Sequence, residues 1–108
     1  MKLIIAIVHD EDNRKVMDAL NENGFMVTKL CSSGGFLKAG NTTLLTGVDE
    51  NKVQEAVDII GKTSKVRKQM MNSMPYSTAG LPIMAEPVEV TVGGATIFIT
   101  DVERFEKV

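Results

Sequence analysis

The stretch from Thr28 to Gly47, TKLCSSGGFLKAGNTTLLTG, holds the residues best suited to bind a small anionic ligand. Gly34 and Gly35 allow positive φ and bring bare backbone N–H groups close to a ligand. Phe36 and Leu37 follow them, two apolar residues where a turn should be polar. The amides of Gly35, Phe36 and Leu37 can face phosphate, and the Phe36 ring or the Leu37 side chain can cover a flat heterocycle. Thr28 and Asn41 can read the edge of that heterocycle. Lys29 and Lys38 either add positive charge or are ordinary solvated lysines. The competing reading is a plain hairpin whose Phe36 packs under a neighbouring loop, because a lone double glycine specifies little.

Catalytic chemistry finds less support. The one histidine, His9, ends the first strand beside Asp10, and a general base needs a convincing partner. The one cysteine, Cys31, excludes an intramolecular disulfide and a Cys-pair metal site, and it reads as a buried inert thiol. The acidic run at 10–12 is explained more simply by helix capping than by a metal. Neither GxxxxGK[ST] nor GxGxxG occurs, so the usual nucleotide-triphosphate and dinucleotide machinery is missing. No catalytic residue, metal ligand or cofactor is assigned.

The elements that must position these residues follow from pattern. Residues 2–8, KLIIAIV, are apolar without alternation and fit a strand covered on both faces. Asp10 or Asp12 is expected to cap a helix buried through Val16, Met17 and Leu20 and ended at Gly24. Strands are expected over 26–33 and 42–48, flanking the glycine turn. Asp49 is expected to cap a second helix, with Val48 stapled against Val53 and with Val53, Ala56, Val57 and Ile60 on one face. Its exit lies near Gly61, although Ser64–Met71 partly continues the helical pattern. The remainder of a long loop, about 66–85, is read as flexible. PVEVTV and ATIFIT alternate as strands, joined by Gly93-Gly94 as a hairpin turn, and VERFEKV forms a closing turn.

The order is βαββα followed by a hairpin, an α+β, ferredoxin-like arrangement with two helices on one face of an antiparallel sheet. A chain of 108 residues, 44% hydrophobic and 24% charged, fits a single domain spanning 1–108 with a packed core. Its formal charge of −2 gives no nucleic-acid footprint, and its apolar runs are too short for membrane insertion. The start of the chain lacks signal-peptide features, so a cytoplasmic protein is expected. Because the first strand is apolar on both sides, the face away from the helices needs a cover, and a homo-oligomer is the simplest one.

The run TKL-x-SSGGFL-x-AGNTT, with VEVTVGGATIFI further on, resembles the PII-like cyclic di-AMP receptor family of Gram-positive bacteria. The likeness extends from MKLIIAIVHDED over nearly the whole chain and is weakest at 65–85. It implies a PII-like signal-transduction protein, a trimer, with cyclic di-AMP bound between subunits. The implied contacts match Thr28, Gly35, Phe36, Leu37, Asn41 and Gly47. Phe98 is a further candidate from the neighbouring subunit, against the alternative that it packs in the core. Family members commonly carry a polar residue and an arginine just before the threonine, where Gly24 and Met26 stand here. Methionine cannot stack and pair with phosphate as an arginine does.

The expectation is a non-enzymatic sensor that binds cyclic di-AMP and changes loop conformation to regulate an unidentified protein. Lys62, Lys65, Arg67 and Lys68, with Met70, Met71, Met74 and Met84, either meet that partner or form a solvated helix end beside loose methionines. The short loop between strands two and three argues against plugging an ammonium transporter as other PII proteins do. The rival functions are a sensor of another adenine nucleotide, a small ferredoxin-like enzyme using His9 and Asp10, and an assembly protein.

Overall fold

The structure, a computed structural model, describes residues 1–30, 40–71 and 88–108. The glycine turn with Cys31, Gly35, Phe36, Leu37 and Lys38 lies outside the described residues, as do Met74 and Met84. The elements run β1 (Lys2–His9), α1 (Asp10–Glu22), β2 (Thr28–Leu30), β3 (Asn41–Val48), α2 (Val53–Thr63), β4 (Arg67–Met71), β5 (Val88–Val92) and β6 (Ala95–Asp101). The main sheet has the order β2-β3-β1-β6, with every neighbouring pair antiparallel. That is the ferredoxin-like α+β arrangement expected, with β6 as its fourth strand.

Side-chain alternation assigns the two faces of the sheet. Ile4, Ala6 and Val8 of β1 and Leu44 and Val48 of β3 are buried with Val16 and Leu20 of α1 and Ala56 and Ile60 of α2. Val53 and Ile59 pack against this core. Each buried valine, leucine or isoleucine among these contributes about 1.5–3 kcal/mol by leaving water. Leu3, Ile5 and Ile7 point the other way and are half-buried. In register with Ile5 lie Leu45 on one side and Phe98 on the other, and Phe98 is 48% exposed. The second face is therefore apolar and open, and Phe98 is not a core residue.

Four local expectations are corrected. His9, not Asp10 or Asp12, holds the N-cap position of α1, and it makes no side-chain cap bond. Asp10 instead accepts a hydrogen bond from Thr42 Oγ1 at 2.5 Å. Asp49 precedes a single 3-10 turn, Glu50–Lys52, again without a side-chain bond, and α2 runs through Gly61 to Thr63. Ser64–Met71 does not continue the helix, and the loop expected from about 66 begins as a strand, because Arg67–Met71 pairs with Val88–Val92. Gly93-Gly94 is consequently not a hairpin turn between paired strands: β5 pairs with β4, and only β6 joins the main sheet. The two glycines form the corner between a two-stranded ribbon and the sheet. Alternation located the strands but could not say which partner each would take.

Candidate functional site

A cleft of about 900 Å³ opens where β3 ends and β1 begins, lined also by the segment after β6. Leu3, Leu45 and Gly47 contribute from the open face of the sheet; Gly24, Met26 and Thr28 come from the approach to β2; Val102 and Phe105 come from the segment after β6. Lys52 and Lys107 line it as well, and neither side chain pairs with a described residue. Two carboxylates, Asp49 and Glu106, line it beside these lysines, so the arrangement offers an apolar surface with mixed charge, and the apolar part suits a flat heterocycle.

Local structure explains how the chain reaches this cleft. At the end of α1, Gly24 has φ +84°, its N–H donates to the Asn21 carbonyl, and the Phe25 N–H donates to the Leu20 carbonyl at 2.9 Å. These two bonds close a Schellman motif, in which glycine or asparagine avoids the cost of a left-handed backbone. Phe25 and Leu20 then meet in the core. Beyond them Thr46, itself buried, donates its hydroxyl to the Met26 carbonyl at 2.8 Å. That bond fixes the segment leading to Thr28, which stands in register with Leu45. Met26 itself projects outward and is 84% exposed.

Gly47 has no comparable internal reason. Its φ is not in the left-handed region, and an added Cβ would meet only Met1 Sδ, at 3.8 Å. An interior strand glycine weakens a sheet, and it commonly marks a close approach of ligand or backbone. Here it leaves bare backbone in the wall of the cleft.

The opposite end of the sheet is built differently. A smaller cleft of about 300 Å³ is lined there by Ile7, His9, Asn41, Thr96 and the Gly93–Ala95 corner. The corner is locked. Gly94 N–H donates to the Ser64 carbonyl, and a Cβ on Gly93 would collide with the Lys65 carbonyl and with Arg67 Nη1. Arg67 donates through Nη2 to Asp12 Oδ1 at 2.8 Å and through Nη1 to Asp12 Oδ2 at 3.2 Å, and also to the Lys65 carbonyl. Glu11 and Lys15 complete the cluster. Asp12 is 0% exposed. Burial pushes its carboxyl pKa up, but the Arg67 hydrogen bonds, the Arg67 charge and Lys15 outweigh this and hold it below the usual value. The acidic run thus anchors the β4–β5 ribbon to α1. Arg67, whose pKa that hydrogen bond raises, is not free to form the basic partner patch expected of it. Lys68 is likewise paired, with Glu89.

The structure therefore brings together Thr28 and Gly47 and separates Asn41 from them. Asn41 stands six positions before Gly47 along β3, about 20 Å at strand rise. Lys29 is exposed on β2, and Phe98 lies on the open face; neither lines either cleft. Gly24 and Met26, singled out from the sequence only as departures, do line the larger cleft. Thr46 and Phe105 were missed. Thr46 reads as one more strand threonine, and Phe105 sits in a charged tail without periodicity. Among the described residues no three His, Cys, Asp or Glu gather as metal ligands, and no helix is long and apolar enough to cross a membrane.

Comparison with known proteins agrees with this picture. A family model described as cyclic-di-AMP receptor matches residues 1–108. The chain is also similar to a crystal structure of a functionally unknown protein from Pediococcus pentosaceus ATCC 25745, with a TM-score of 0.75 and 37% identity over 99% of this chain and 96% of that one. With its whole length matched, this chain belongs to the cyclic-di-AMP receptor family.

Proposed function

We propose that the protein is a non-enzymatic cytoplasmic sensor that binds cyclic di-AMP at subunit interfaces and changes loop conformation to regulate a partner protein. Gly47 carries the reading: a glycine without a backbone or packing requirement keeps open the cleft that Thr28 also lines. The proposed contacts are Thr28, Gly35, Phe36, Leu37, Asn41 and Gly47, with Lys29 and Phe98 as outer candidates. The separation of Asn41 from Thr28 and Gly47 favours a shared site, in which one copy supplies the first and its neighbour the others. The open apolar face with Ile5, Leu45 and Phe98 favours the same assembly, taken as a trimer from the family resemblance. Ordering of the glycine turn and of the loop beyond β4 by ligand would alter the surface offered to the partner.

The enzyme alternative relies on Asp10 beside His9, and the Asp10 carboxylate instead accepts a hydrogen bond from Thr42. Isothermal titration with cyclic di-AMP, and with ATP, AMP and cyclic di-GMP as controls, tests the proposal. Micromolar or tighter binding of cyclic di-AMP alone is expected. Preference for another adenine nucleotide would instead assign the effect of Met26 to ligand choice, and no binding by any of them would overturn the sensor.

A further inference from the structure

We infer that Phe105 is a base-stacking residue of this receptor, carried into the nucleotide cleft by the segment that follows β6. The inference rests on the cyclic di-AMP reading above and adds a residue to it. Phe105 lines the same cleft as Thr28 and Gly47, yet its side chain is 65% exposed. Met26 lines that cleft too and is even more open, so two large apolar side chains from distant segments face solvent within one concavity. Isolated exposed apolar residues need no explanation, but a convergent pair over half-buried Leu3 and Leu45 does.

The segment bearing Phe105 is held in place where it leaves the sheet. Val102 N–H donates to the Met1 carbonyl at 3.2 Å, and Lys2 pairs with Asp101. Arg104 and Glu106, on either side of Phe105, pair with each other at 2.5 Å. The phenyl ring thus reaches the cleft three residues beyond the Val102 anchor. A flat purine is the ligand shape that such a ring and a deformable thioether accommodate. Two aromatic rings line the cleft, and of these Phe25 is buried in the core while Phe105 is open, which leaves Phe105 as the ring a ligand can reach.

The test uses substitution at one site with two readouts. The chain has no tryptophan, so Phe105→Trp introduces a single tryptophan, at the cleft, that can be excited apart from the one tyrosine. Cyclic di-AMP is expected to quench its emission, saturating at the affinity found by calorimetry for the unsubstituted protein. Phe105→Ala is expected to weaken cyclic di-AMP binding roughly tenfold or more, the usual range for loss of one base–aromatic stack, with the oligomer size by ultracentrifugation unchanged. Unaltered affinity in Phe105→Ala while the unsubstituted protein binds would overturn this inference alone. Loss of assembly together with binding would overturn it too, by making Phe105 an interface residue. Failure of the unsubstituted protein to bind would bring down both readings.

Discussion

The two ends of the central sheet solve opposite problems. At the ribbon end, Gly93 and Gly94 adopt left-handed backbone, a Cβ on Gly93 has no room, and Arg67 binds both oxygens of a buried Asp12. Each unusual residue there is explained by a neighbour in the same chain. At the cleft end, Gly47 has no such neighbour, and Met26 and Phe105 are left in solvent. The corner at the first end is accounted for by contacts within the chain, although Asn41 nearby belongs to the proposed shared site. The second end is left open, and on the proposed reading Gly93 is a structural glycine and Gly47 a ligand-site one.

Substitution at the two glycines should separate the ends most sharply. Gly93→Ala combines left-handed strain with a collision at the Lys65 carbonyl, and a loss on the order of 3 kcal/mol is expected in urea unfolding. Gly47→Ala should change stability by less than about 0.5 kcal/mol. Equal losses at the two positions would erase the distinction.

Acid should act on the ribbon end. The Asp12 pKa is lower folded than its ordinary 3.8, so its contribution is present above that value and is lost as pH falls through the lower folded one. Asp12→Asn should remove this part of the acid dependence, flattening the unfolding midpoint below about pH 4. An unchanged acid limb in that variant would show that Asp12 is not what responds.

Smaller effects fall on the supports of the cleft. Thr46→Val removes the hydroxyl that holds the Met26 carbonyl and should cost about 1 kcal/mol, with faster amide exchange at Thr28. Smallest of all, Lys68→Ala removes an exposed pair with Glu89, and less than about 0.5 kcal/mol is expected from thermal unfolding.

Much of the fold was legible because local chemistry and global fold agree. KLIIAIV announced a strand, Gly24 announced a helix end, and Ala56 and Ile60 announced a buried stripe. Strand partnership was not legible: nothing in VEVTV says that it pairs with RKQMM rather than with ATIFIT. Nor was Asp12, since an acidic first turn looks the same whether it faces solvent or an arginine 55 positions away. Of the candidate site, Thr28 and Gly47 line one cleft, while Asn41 lies at the other end of its strand. Thr46 and Phe105 were hidden because their roles depend on which segments converge, and sequence spacing does not encode that.

The central claim, that the nucleotide docks at the open end of the sheet, is tested most directly by titrating cyclic di-AMP into Gly47→Val beside the unsubstituted protein, with thermal unfolding of both. Valine suits a strand, and the structure leaves space at its Cβ, so the unfolding temperature should shift by only a few degrees. Binding at least tenfold weaker at preserved stability is the predicted result. Undiminished binding in a folded Gly47→Val protein would contradict the account.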